Sequence, residues 1–178
     1  MQNTNINFDG KVTLIIPTLN EIEAIQLILP KLKTISCVDE ILIIDGGSTD
    51  GTVEYVKKNN YPIYHPKKKG YGAAIKEGVM QAKGDIIIEF PGDGSSPPDE
   101  ICNLVNKLRG GYDLVVASRY QEGAKSYDDD VVTRFGNWFF TKLINILFHA
   151  RYTDSLIGFR ACRKKSLEAL NMDAMGLE

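Results

Sequence analysis

The chain contains no run of about eighteen apolar residues, so nothing in it reads as a membrane-crossing helix. Its only cysteines, Cys37, Cys102 and Cys162, are far apart and form no CxxC pair, which speaks against a disulfide framework and against a zinc site. A reducing, cytoplasmic location is the expectation that follows. Neither sign of charge dominates: 21 basic residues face 23 acidic ones, leaving a net charge of −2. Nothing in that balance suggests general attraction to nucleic acid or to anionic lipid, and any anion site must be local. The first ten residues are polar and lack the apolar core of a signal peptide. His65 and His149 have no partners at metal spacing, and no Ser-His-Asp or Cys-His arrangement is in place for nucleophilic catalysis.

What is present has globular proportions: 178 residues, 43% hydrophobic and 25% charged. The expectation is one domain over residues 1–178, truncated at its C-terminus because residues 173–178 carry no stop signal. Short β-branched runs recur at 12–16, 41–44, 62–64, 85–89 and 113–117. Their near-continuous apolar character suits parallel strands covered on both faces. Helices are expected between them. The first starts after Asn20 as its cap and runs to about residue 35, and the second follows Asp50 to about Lys58. The third spans 70–83 and the fourth 98–109, with prolines at its start. The sequence therefore predicts an α/β fold. Residues 120–130, with Asp128, Asp129 and Asp130 in succession, read as a loop, and 131–148 as the most apolar helix. That helix has two readings, a core helix packed on the sheet or a surface that docks on a bilayer.

In open α/β sheets ligands gather beyond the carboxyl ends of the strands. After the first run stand Pro17-Thr18-Leu19-Asn20-Glu21; after the second, Asp45-Gly46-Gly47-Ser48; after the fourth, Phe90-Pro91-Gly92-Asp93; after the fifth, Ser118-Arg119-Tyr120. Such a rim offers close backbone approach and acceptors for a nucleoside diphosphate. Cations for its phosphates would come from Arg119 together with Mg²⁺ or Mn²⁺, both of which prefer carboxylate, water and phosphate oxygens. Asp93 is the candidate metal ligand, and equally a turn aspartate. Lys69, before Gly70-Tyr71-Gly72, is a candidate phosphate contact, although a GxG alone is weak.

Taken in order, Pro17-Thr18-Leu19-Asn20-Glu21, Asp45-Gly46-Gly47-Ser48-Thr49-Asp50-Gly51-Thr52, Gly70-Tyr71-Gly72, Ala82-Lys83-Gly84-Asp85, Ser118-Arg119-Tyr120, Thr153-Asp154 and Gly158-Phe159-Arg160 resemble the family 2 glycosyltransferases. The subgroup of similar pattern is the polyprenyl-phosphate sugar synthases. That resemblance implies a GT-A fold, a divalent metal and inverting transfer of a sugar from a UDP- or GDP-activated donor. It also implies that Pro17, Leu19 and Glu21 line the base and ribose pocket with Ile44 and Gly46 beside them; Asp45, a further candidate, should point elsewhere on the strand end. Gly92 and Asp93 would lie near the diphosphate, Arg119 would touch the nucleotide, and Arg160 would sit near the acceptor; the other reading of Arg160 is a surface ion pair. Two positions depart from the family pattern. Gly46 stands where relatives carry an aspartate that contacts the base, and Pro91 replaces the first carboxylate of Asp-x-Asp, leaving Asp93; Glu89 would substitute only if the backbone rearranged.

A hydroxyl acceptor would need a general base, whereas a phosphate is already nucleophilic. The matching motifs offer no base, which favours a polyprenyl phosphate at the inner face of the cell membrane, with the enzyme peripheral to it. Asp154 or an aspartate of 128–130 is the alternative for a hydroxyl. Two further classes remain: a catalytically silent nucleotide-sugar-binding module, and a nucleotidyltransferase. The latter would want a glycine-rich basic loop where 17–21 provides none.

Overall fold

The apolar runs become strands because β-branched side chains buried on both faces of a sheet exclude water along their whole length. In a computed structural model describing residues 9–118, 131–155 and 157–170, they form β1 (Val12–Thr18), β2 (Glu40–Asp45), β3 (Ile63–Tyr64), β4 (Ile86–Glu89), β5 (Leu114–Val116) and β6 (Arg160–Arg163). The sheet order is β3-β2-β1-β4-β6-β5. β1 pairs in parallel with both β2 and β4, β2 in parallel with β3, and β4 antiparallel with β6. The α/β expectation holds, with one reversed strand that brings Arg160 opposite Glu89.

Helices alternate with the strands: α1 (Ile22–Leu32), α2 (Thr52–Lys58), α3 (Tyr71–Gln81), α4 (Ile101–Arg109) after a 3₁₀ turn at Pro98–Glu100, α5 (Val131–Phe148) and α6 (Lys164–Ala169). In α1 the buried residues are Ile25, Ile28, Leu29 and Leu32, and in α4 they are Ile101, Leu104, Val105 and Leu108. Both sets follow the i, i+3, i+4, i+7 spacing of one helical face. Against β1 and β2, α3 packs Ala74, Ile75 and Val79 onto Ile15, Leu42 and Ile44. Each Ile, Leu or Val side chain among them contributes about 1.5–3 kcal/mol on burial. The close approach needs Gly78, where an added Cβ would lie 2.5 Å from Ile15 Cγ2.

Three expectations change. Asn20 does not cap α1: its backbone is left-handed, at φ 58°, and its side chain accepts from the Thr49 amide instead. The free amide of Ile22 is taken by Asp50 Oδ2 at 2.9 Å, a carboxylate from a different loop. Cys37 and Cys102, 65 residues apart in sequence, form a disulfide with Cα atoms 5.8 Å apart. The fold places the turn after α1 beside the start of α4, which spacing along the chain does not reveal. Cys162 alone is free, and it is buried.

The third change concerns α5. The chain divides into two compact units, Met1–Val115 with Phe159–Glu178, and Val116–Gly158, and α5 belongs to the second. A core helix would hide its aromatics, yet Phe135, Trp138, Phe139, Phe140, Ile146, Leu147 and Phe148 are all exposed, Phe148 by 74%. What α5 buries is polar. Asn137 donates to Asp154 Oδ1 at 2.9 Å, Thr141 donates to Asn137 Oδ1, and the Ser155 amide donates to Thr141 Oγ1. These bonds satisfy the polar face locally and leave the apolar face outward.

Candidate functional site

Because β2, β1 and β4 are parallel neighbours, the segments that follow them share one edge of the sheet. The chain leaves β1 toward β2 on one side and returns to β4 on the other, the arrangement in which a crevice opens at the strand ends. The residues whose geometry follows belong to the first unit.

The loops after β1 and β2 are laced together by hydrogen bonds between their own polar residues. The Asn20 amide donates to Ser48 Oγ at 2.8 Å, the Thr49 amide to Asn20 Oδ1 at 2.8 Å and the Glu21 amide to Thr52 Oγ1 at 3.2 Å. Asp50 spans two helix starts, accepting from Ile22 through Oδ2 and from the Thr52 amide through Oδ1 at 3.0 Å. These bonds hold its carboxyl below the usual aspartate range, the Thr52 hydroxyl contributing most.

Beneath the loops lies Asp45, fully buried. Its Oδ2 accepts from the Gly47 amide at 2.8 Å and the Ser48 amide at 3.0 Å, and its Oδ1 accepts from the hydroxyls of Thr18 and Ser48. His65 Nδ1 lies 3.4 Å from Oδ2. Burial alone would raise the carboxyl's pKa, but these donors outweigh it and the pKa is lowered. With both oxygens engaged, Asp45 supports the loop rather than offering itself to a ligand. Ile44, expected beside the base pocket, is wholly within the core under α3, so its side chain does not face the crevice either.

Toward the open side, Leu19 is 57% exposed, Pro17 and Glu21 are half-buried, and Gly46 is exposed. A Cβ at Gly46 would meet Thr18 O at 3.5 Å and Leu19 Cδ1 at 3.7 Å, ordinary contacts, so the backbone does not require glycine there. Gly92 is different: a Cβ would lie 2.7 Å from Pro17 O, and only hydrogen fits between the ends of β1 and β4. Past it, Asp93 is exposed and its Oδ1 accepts from the Ser95 amide at 2.9 Å. The Glu21 carboxyl is pushed up by burial first and then by the charges of Asp93 and Asp50, so negative charge is concentrated here. Among the described residues no group of three or more His, Cys, Asp or Glu side chains could enclose a metal. Lys69 is exposed just ahead of α3. Arg119 and Asp128–Asp130, singled out from sequence, lie outside the described residues.

Where β4 faces β6, a buried polar cluster occupies the same strand end. Glu89, with its side chain 4% exposed, accepts from Arg160 Nε at 2.7 Å and Arg160 Nη2 at 3.1 Å, while the Tyr71 hydroxyl donates to Glu89 Oε1. Arg160 is thus an ion-paired residue, its side chain still 40% exposed. Burial works against its charge, but the Glu89 bonds prevail and its pKa is raised. Burial, followed by the adjacent Glu89, raises that of Tyr71. Glu89 is committed to these partners and does not stand in for the missing metal carboxylate. The cluster had a sequence signal: an acid ending the apolar run 86–88 is costly to bury unless a cation meets it. Which cation meets it depends on the β4–β6 register.

Comparison with known proteins agrees with this architecture. A family model described as Glycosyl transferase family 2 matches residues 13–170. An undecaprenyl-phosphate mannosyltransferase of Micrococcus luteus is 29% identical over 174 residues, covering 93% of this chain and 71% of that protein. A dolichol-phosphate mannosyltransferase of Pyrococcus furiosus is also 29% identical, over 94% of this chain; the chain spans only 50% of its length. Among solved structures, glucosyl-3-phosphoglycerate synthase of Mycobacterium tuberculosis, in complex with Mn²⁺, UDP and phosphoglyceric acid, superposes with a TM-score of 0.71 at 21% identity. That match covers 88% of this chain and 57% of the synthase, and it bears on fold alone. With a family match over most of its length and the GT-A architecture of a mostly parallel sheet, the chain belongs to glycosyl transferase family 2.

Proposed function

We propose that the protein transfers a sugar, with inversion, from a UDP- or GDP-activated donor to a polyprenyl phosphate. The observation that carries this reading is the shared strand-end edge where Leu19, Gly46 and Asp93 are open to a ligand and Glu21 and Arg160 are partly open beside them. The names of the two mannosyltransferase relatives support the acceptor class. Pro17, Leu19 and Glu21 hold the nucleoside, and Gly92 lets the β4 loop lie against the β1 backbone so that Asp93 reaches the diphosphate. Arg119 serves the phosphates on the strength of its sequence position. A phosphate acceptor needs no general base, and Glu89, the buried carboxylate that meets Arg160, is already ion-paired.

The donor set fits a hard divalent cation: one exposed carboxylate at Asp93, whose charge adds to burial in raising the Glu21 pKa, suits an ion whose other ligands are diphosphate and water. When bound, Mg²⁺ or Mn²⁺ supplies charge to the departing nucleoside diphosphate. No helix among the described residues is long and apolar enough to cross a membrane. The outward apolar face of α5, flanked by exposed Arg134 and Lys142, supports peripheral contact with a membrane surface, while the Cys37–Cys102 disulfide removes the ground on which a reducing location was expected.

Calorimetric titration of UDP, GDP and their sugars, with and without Mn²⁺, tests the reading. Metal-dependent binding of one donor is expected, and its absence for all would sink the enzyme assignment. Asp93→Ala should abolish the metal dependence; unchanged turnover would remove Asp93 from the ligand set. A second reading, a binding module without turnover, is favoured by Pro91 in place of the first metal carboxylate. Donor binding without transfer to any polyprenyl phosphate would establish it.

A further inference from the structure

The Tyr71–Glu89–Arg160 cluster has a polarity that no single member would have alone. Glu89 is fixed by β4, and the antiparallel register places Arg160 directly across from it on β6. One edge of the guanidinium, Nε and an N–H of Nη2, is consumed by the carboxylate. Its remaining N–H groups have no partner among the described residues, and the side chain is partly open to solvent. Tyr71 enters from the start of α3, with the residue exposed on its other side. Its single hydroxyl proton is given to Glu89, so the oxygen lone pairs are what it can still offer.

We propose that Glu89 is a positioning residue that makes Arg160 a one-edged donor and the Tyr71 oxygen an acceptor, together presenting a directed site for an anionic oxygen beside a hydroxyl. The inference rests on the glycosyltransferase reading above, in which the anionic oxygen belongs to the acceptor phosphate and the hydroxyl to the sugar being transferred. Because Glu89 compensates the charge of Arg160, the site holds the phosphate by hydrogen-bond direction more than by bulk attraction. Orientation of this kind acts on the reacting geometry, so its loss appears in kcat rather than in acceptor KM.

The test uses the chain with farnesyl phosphate as acceptor and a donor panel of UDP-glucose, UDP-N-acetylglucosamine and GDP-mannose. Glu89→Gln keeps the volume but removes the charge that grips Arg160. It should lower kcat by about tenfold or more, while acceptor KM holds or falls and nucleotide affinity is unchanged. Tyr71→Phe should fold normally, since it deletes only a hydroxyl from a half-exposed residue, and it should lower kcat in the same way; it decides the matter if Glu89→Gln does not fold. In ¹⁵N-labelled protein, the Arg160 Nε–H proton should stay slow to exchange with water when farnesyl phosphate is added, because Glu89 still holds it, and should exchange faster in Glu89→Gln. Transfer by the unaltered chain with kcat unchanged in the variants would overturn this inference alone. So would faster exchange of the Nε–H proton on adding farnesyl phosphate, because the ligand would then be replacing Glu89. Failure of the unaltered chain to transfer any sugar would overturn the proposed function, and this inference with it.

Discussion

Replacing Asp45 by alanine and by asparagine separates two things that its carboxylate does. Alanine leaves the Gly47 and Ser48 amides and the Thr18 and Ser48 hydroxyls without their acceptor. The exposed loop lets water reach some of these groups, so the loss is less than the sum of four bonds and comes to about 2–3 kcal/mol. For a chain of this size that lowers the melting temperature by roughly 5–10 °C. Asparagine can turn its carbonyl to the two amides and its amino group to the hydroxyls, which rotate to accept. It loses only charge assistance and the His65 contact, at about 1 kcal/mol. Urea unfolding at pH 7 of the three proteins measures both steps. If asparagine costs as much as alanine, charge rather than acceptor placement holds the loop, and if alanine costs under about 0.5 kcal/mol, the loop does not depend on Asp45. The pH dependence has a definite sign. Since the folded state lowers the Asp45 pKa, its contribution is fully present above the unfolded value of about 3.9 and is lost as pH falls through the folded one. The alanine variant should lack that part of the acid destabilisation.

Gly92→Ala should destabilise the fold by about 2 kcal/mol or more, read by the same unfolding curve, because the new Cβ meets main-chain oxygen rather than a movable side chain. It should also weaken donor binding in calorimetry. Reduction of the Cys37–Cys102 bridge, or Cys102→Ser, should cost about 3–4 kcal/mol from the loop it closes; equal stability with and without reductant would contradict the bridge. Cys162 should resist iodoacetamide in the native protein at pH 8, by mass spectrometry, because burial above all pushes its thiol up to about 11. Substituting Trp138 and Phe139 with serine should reduce flotation with vesicles containing anionic lipid by severalfold without lowering the melting temperature.

Strand identity, helix order and the rim were legible because each depends on local pattern: apolar runs for β1, β2 and β4, and turn residues directly after them. The parts that were not legible depend on distant chain. Asp50 caps α1 from the next loop, which makes Asn20, correctly placed for a local cap, free to do something else. Ile44 adjoins the rim in sequence, but strand alternation turns it into the core. Cys37 finds Cys102 only through the packed ends of α1 and α4. Arg160 could be read as near an acceptor or as an ion pair, and the β4–β6 register pairs it with Glu89. The apolar composition of α5 was plain, whereas the face it buries was set by Asn137 and Thr141, two of its few polar residues.

The lacing of the loops after β1 and β2 bears on how a nucleotide would arrive. Asn20, Ser48, Thr49, Asp50 and Thr52 hold the two loops to each other through their own side chains and main chain. Little disorder is left in that wall for binding to remove, so the entropic cost of association falls mainly on the ligand. Entry at this wall should therefore resemble docking on a rigid surface, with an association rate that varies little among nucleotides and selectivity expressed in how long each one stays.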